Sequence, residues 1–128
     1  MRKILFTMSL CVISIVTIFA QVPEKMSYQA VIRDGNNDLL ANASVGMRIS
    51  ILINSVNGIP VYIETQNPST NMNGLVTIEI GTGTVVEGNI STINWGEGNY
   101  YIKTETDPDG GDNYTLSGTN QLLSVPYA

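Results

Sequence analysis

The stretch Ser44-Val45-Gly46-Met47-Arg48-Ile49-Ser50-Ile51-Leu52-Ile53-Asn54 decides the fold. Val45, Met47, Ile49, Ile51 and Ile53 recur at every second position, while Ser44, Arg48, Ser50 and Asn54 occupy the alternate set. A period of two places successive side chains on opposite faces of a strand, so these residues predict a half-buried β-strand. The same rhythm extends in both directions. Ser27 to Arg33 sets Tyr28, Ala30 and Ile32 on one side and closes in the turn cluster Asp34-Gly35-Asn36-Asn37-Asp38. Asn57-Gly58 turns the chain into Pro60 to Thr65, where Val61 and Ile63 alternate with Tyr62 and Glu64. After Asn73-Gly74, Val76, Ile78 and Ile80 alternate with Thr77 and Glu79.

A shorter strand is expected around Val85 and Val86, followed by a loop holding Ile90, Ile93 and Trp95. Tyr100 to Thr106 resumes clear alternation, and a last strand is predicted from Tyr114 toward Leu123 after the Asp107 to Asn113 turn. Seven or eight short strands at this spacing, with no helix signal between them, predict an all-β antiparallel sandwich of immunoglobulin or transthyretin type. A small closed barrel is the architectural alternative.

At the N-terminus, Arg2 and Lys3 precede an apolar run from Ile4 to Phe19 that ends in Ile18-Phe19-Ala20 before a polar Gln21. A basic start, an apolar middle and small or aliphatic residues at the cleavage positions are the parts of a secretory signal peptide, which residues 1–20 are expected to be. The run is shorter than a membrane-spanning helix requires and lacks a basic flank on its far side, so no membrane insertion is expected after cleavage. Residues 21–121 then form the predicted sandwich domain. The apolar segment 122–128 reads as a junction to a further region of a longer protein. Secretion or display at the outer cell surface follows from the signal.

Of the 128 residues, six are basic and eleven acidic. Loss of Arg2 and Lys3 leaves four basic residues against eleven acids, a net charge of −7. Such a chain offers no basic surface for nucleic acid, nor for an anionic membrane. The single cysteine, Cys11, lies within the signal. Leu10 precedes it and the apolar run continues past it, unlike a lipidation site, so the domain is expected to be stabilised by packing without a disulfide. The absence of histidine removes the commonest general base and the commonest zinc ligand.

Three groups of residues invite a functional reading. Asp107, Asp109 and Asp112 lie in the glycine-bearing loop Asp107-Pro108-Asp109-Gly110-Gly111-Asp112-Asn113. Hard oxygen ligands in a curling loop suit calcium, yet the spacing is not that of an EF-hand and a hairpin turn accounts for the same residue types. Trp95 and Tyr101, with Tyr100, are candidates for a sugar-stacking platform, against which stands packing of Trp95 at one end of the sandwich. Glu64, Glu79 and Glu105 are all expected at outward strand positions. Glycosidase chemistry needs two carboxylates facing one another across a cleft, so no catalytic pair is predicted from them.

Four phrases carry a resemblance: Met26-Ser27-Tyr28-Gln29-Ala30-Val31-Ile32-Arg33-Asp34, Asn73-Gly74-Leu75-Val76-Thr77-Ile78-Glu79-Ile80-Gly81, Tyr101-Ile102-Lys103-Thr104-Glu105-Thr106-Asp107-Pro108 and Gln121-Leu122-Leu123-Ser124-Val125-Pro126-Tyr127-Ala128. In this order they resemble the N-terminal domain of secreted, surface-exposed and tail-fibre-like proteins of Bacteroidetes. The resemblance implies a non-catalytic module that presents or anchors a longer extracellular protein, its partners being downstream domains of the same chain. It supplies no catalytic residues and no cofactor. Alternatives are an adhesin domain that binds surface glycans or proteins, with or without calcium, and the N-terminal part of a secreted enzyme. A trimer would accompany a fibre-like stem, but no residue here specifies an oligomer.

Overall fold

The computed structural model describes residues 25–122. The predicted signal peptide and residues 123–128 of the predicted junction lie outside them. Seven strands follow in order: β1 (Met26–Val31), β2 (Gly46–Ile53), β3 (Ile59–Gln66), β4 (Leu75–Ile80), β5 (Thr84–Gly88), β6 (Tyr100–Asp107) and β7 (Leu116–Leu122). A single 3-10 turn, Ile90–Thr92, interrupts the link between β5 and β6. Every strand pairing is antiparallel. The strands form a five-stranded sheet in the order β5-β3-β2-β6-β7 and a two-stranded sheet of β1 and β4, and together these make a β-sandwich.

The decisive stretch forms the central strand. Val45, Met47, Ile49 and Ile51 are fully buried beneath the small sheet, whose Val76, Ile78 and Ile80 close over them. In β6, Tyr100 and Ile102 lie opposite Ile53 and Ile51 and extend the same inner face. The small sheet reaches from β3 to β7 and leaves β5 exposed. Its β4 lies near β3, where the Gln66 amide donates to the Glu79 carbonyl at 2.8 Å, and its β1 lies across β7, where the Asn120 amide donates to the Tyr28 hydroxyl at 3.0 Å. Ile90, Ile93 and Trp95 fold under the end of the sandwich as buried plugs.

Strand β3 departs from the expected facing. Its pairing with β2 skips Val61, a bulge that sets Tyr62 opposite Ile51 and Glu64 opposite Ile49. Directly opposed residues share a face, so Tyr62 and Glu64 point into the core and Ile63 points out. Glu64 is therefore not at an outward position: its exposure is 0%. The outer face of the large sheet is also less exposed than alternation predicts, since Leu52 and Ser50 are buried there.

Candidate functional site

Glu64 is the most unusual residue of the domain. Its side chain points from β3 toward the turn Gly81-Thr82-Gly83, which joins β4 to β5. Oε1 accepts from the Tyr62 hydroxyl at 2.6 Å and from the Gly81 N–H at 2.6 Å. Oε2 accepts from the Gly83 N–H at 3.2 Å and from the Gln66 amide. All four partners are donors, two on each oxygen, which is the arrangement a carboxylate satisfies. Burial, and then the Glu64 carboxylate beside it, push the Tyr62 hydroxyl well above the usual tyrosine range. Gly81 adopts φ +112°, a conformation that favours glycine, and a Cβ on Gly83 would meet the Thr65 carbonyl, the Gln66 side chain and, at 2.8 Å, Glu64 Oε2. The two glycines thus allow backbone N–H groups to approach the carboxylate, and the cluster ties the β4–β5 turn to the large sheet.

Asp107 plays a similar part in the neighbouring turn at the same end of the large sheet, where it lies opposite Gly46 of β2 as Gln66 lies opposite Met47. It is buried, and its Oδ1 accepts from the Asp109 N–H at 2.9 Å while Oδ2 accepts from the Asn113 N–H at 3.0 Å. These backbone donors hold its carboxyl below the usual carboxylate range. Asp109 and Asp112 are exposed. Among the described residues, Asp107, Asp109 and Asp112 do not gather into a group of three that could hold a metal ion. The loop is a turn organised by one aspartate.

The two predicted aromatic ligand residues separate. Trp95 is 3% exposed and meets Tyr100 edge-on, with ring centres 5.0 Å apart at 62°. Its faces are occupied by the core and offer no stacking platform, and its indole N–H has no partner among the described residues. The Tyr100 hydroxyl donates to the Asn94 carbonyl at 2.6 Å. Tyr101 faces the other way, half-buried on the outer face of the large sheet. There Arg48 Nε and a terminal guanidinium nitrogen make paired 2.9 Å bonds to Glu105, and the guanidinium lies 4.8 Å from the centre of the Tyr114 ring. The Arg48 bond holds Glu105 below the usual carboxylate range, and Glu105 in turn raises Arg48. Glu79 is exposed on β4, so the three glutamates occupy three different environments and no two face each other across a cleft.

An open groove of about 400 Å³ lies where β1 crosses β6 and β7, lined by Tyr28, Ala30, Ile32, Thr104, Leu116 and Asn120 among others. No helix among the described residues is long and apolar enough to cross a membrane.

A family described as "Domain of unknown function (DUF8740)" matches residues 27–119. The chain belongs to this family. The DUF8740 match runs from β1 into β7 and so takes in the Glu64 cluster, the Asp107 turn and the groove. Neither the curated proteins nor the solved structures yield a match.

Within this DUF8740 domain, alternation alone did not find the Glu64 cluster. The available signal was the pair Gly81 and Gly83 directly after a strand, together with Tyr62-Ile63-Glu64-Thr65-Gln66, in which three hydrogen-bonding side chains share one face. That run reads as a solvated face until its partner turn is known.

Proposed function

We propose that this chain is an exported, non-catalytic β-sandwich that serves as a structural and interaction module outside the cell, presenting or anchoring a longer surface or fibre-like protein of the kind it resembles in Bacteroidetes. The observation that carries this reading is the use made of the two buried carboxylates. Glu64 and Asp107 both accept from donors of their own chain, and both fasten turns to the sandwich. Polar chemistry in the interior thus serves architecture. The basic and apolar start of the chain supports export.

A second reading, a glycan-binding adhesin, draws on Tyr101, which stands half-buried on the outer face that also carries Lys103 and, beyond it, the Arg48–Glu105 pair. A fusion carrying a reporter after Ala128 separates the two. The presenting role predicts that the reporter reaches the cell exterior, where added protease digests it, and that the domain gives no signal on a glycan array. Retention of the reporter inside the cell would refute the presenting role, and glycan binding lost on Tyr101→Ala would favour the adhesin.

A further inference from the structure

The two outer edges of the large sheet differ in their chemistry. At one end, β5 is five residues long, carries Glu87, skips Val86 in its pairing with β3 and finishes on Gly88 at φ +82°. Short length, a bulge and a charge are features that turn an edge away from further pairing. At the other end, β7 is seven residues long, Leu116-Ser117-Gly118-Thr119-Asn120-Gln121-Leu122, with no charge, no proline and an unbroken register against β6. The overlying β1, Met26–Val31, is uncharged as well. Among the described residues nothing pairs with the outer edge of β7 or of β1. One side of this acidic domain therefore carries two open strand edges free of charge.

We propose that β7 pairs antiparallel with β7 of a second copy of this chain, about a twofold axis at Thr119, joining two five-stranded sheets into one of ten. The sequence of the strand selects this occupant. Read against its own reverse, it sets Leu116 opposite Leu122 of the second copy, Ser117 opposite Gln121, Gly118 opposite Asn120, and Thr119 opposite itself. Apolar meets apolar and polar or small meets polar, with no charge brought against a like charge. A twofold contact of this kind is self-complementary and closed, which limits the assembly to two chains. Pairing β7 with the bulged edge of β5 would instead leave Glu87 against an uncharged strand and would propagate without closing. The inference goes beyond the presenting role and does not depend on it.

The test is sedimentation of the purified chain up to about 1 mM, the range in which a small edge contact populates a dimer. The expected result is a mass that rises with concentration from one chain to two. Thr119 lies opposite Lys103 within the chain, so Thr119→Glu gains a cross-strand ion pair and its melting temperature should be at least that of the parent. In the dimer the two introduced carboxylates would face each other, and association should weaken by about tenfold. An equal mixture of T119E with a folded T119K should associate again. Val86→Glu, at the other edge, should change nothing. A single-chain mass at every concentration would overturn the proposal, as would T119E that dimerises like the parent or association lost only in V86E.

Discussion

Glu64→Gln removes a charge from a place where, among the described residues, no cation pairs with it, and two opposing effects follow. Relief from burying a charge favours the variant. Against this, a glutamine side chain offers one carbonyl oxygen and one amide nitrogen to four converging donors. If the oxygen takes the place of Oε1, it keeps Tyr62 and Gly81, whose bonds weaken from charge-assisted to neutral, and its amide nitrogen then faces the Gly83 N–H and the Gln66 amide. Gln66 loses little, because it already donates to the Glu79 carbonyl at 2.8 Å. Gly83 is left without an acceptor in a part-buried position, which costs about 1–3 kcal/mol. Two weakened bonds add about 0.5–1 kcal/mol each, and allowing for the relief of desolvation the donor set wins by about 3 kcal/mol. Urea unfolding should show a lowered midpoint at unchanged slope, and the melting temperature should fall by roughly 12–24 °C. Exchange of the Gly81 and Gly83 amides should accelerate more than that of β2 amides. Combined with Tyr62→Phe, the loss should fall short of the sum of the two single losses by about 1 kcal/mol. A Glu64→Gln chain as stable as its parent to within about 0.5 kcal/mol would show that desolvation outweighs the donors and would refute the reasoning.

Gly83→Ala should destabilise by about 1–3 kcal/mol in urea unfolding, because the added methyl runs into the Thr65 backbone carbonyl, the Gln66 side chain and Glu64 Oε2 and displaces the turn. Trp95→Ala should cost about 3–5 kcal/mol, whereas Trp95→Phe, which removes an unpaired indole N–H, should cost less than half as much, as read by thermal melts of the two variants. Asp107 and Glu105 bind protons less readily in the folded than in the unfolded chain. Their contribution is therefore complete above about pH 5 and declines as the pH falls below about 4, so the melting temperature should drop over that window, and less steeply in Asp107→Asn.

The fold was legible where one strand face is aliphatic and the other polar. The alternation in Val45 to Ile53, in Val76 to Ile80 and at Ile102 identified β2, β4 and β6 with their inner faces, because burial of a continuous aliphatic row admits one orientation. In β3 the same logic failed. The bulge at Val61 shifts the facing by one residue, and Glu64 is buried because two N–H groups from a turn 17 and 19 residues later meet it. That partnership is non-local and leaves no periodic trace. Pairing of β1 with β4, far apart in the chain, is likewise invisible to local pattern. Among the candidate site residues, the Asp-Gly composition of Asp107 to Asn113 marked a turn correctly, while its inward-facing aspartate depends on how β6 ends. Trp95 was legible as a core plug from its position after Ile93, and the opposite facing of Tyr100 and Tyr101 followed from period two.

The central claim, that this sandwich works outside the cell, is tested most directly by expressing the full chain in a bacterial host and determining the intact mass of the protein recovered from each cell fraction. The account predicts an exported chain that begins at Gln21 and is digested when protease is added to intact cells. A chain that keeps Met1 to Ala20 and stays within the cytoplasm would contradict it.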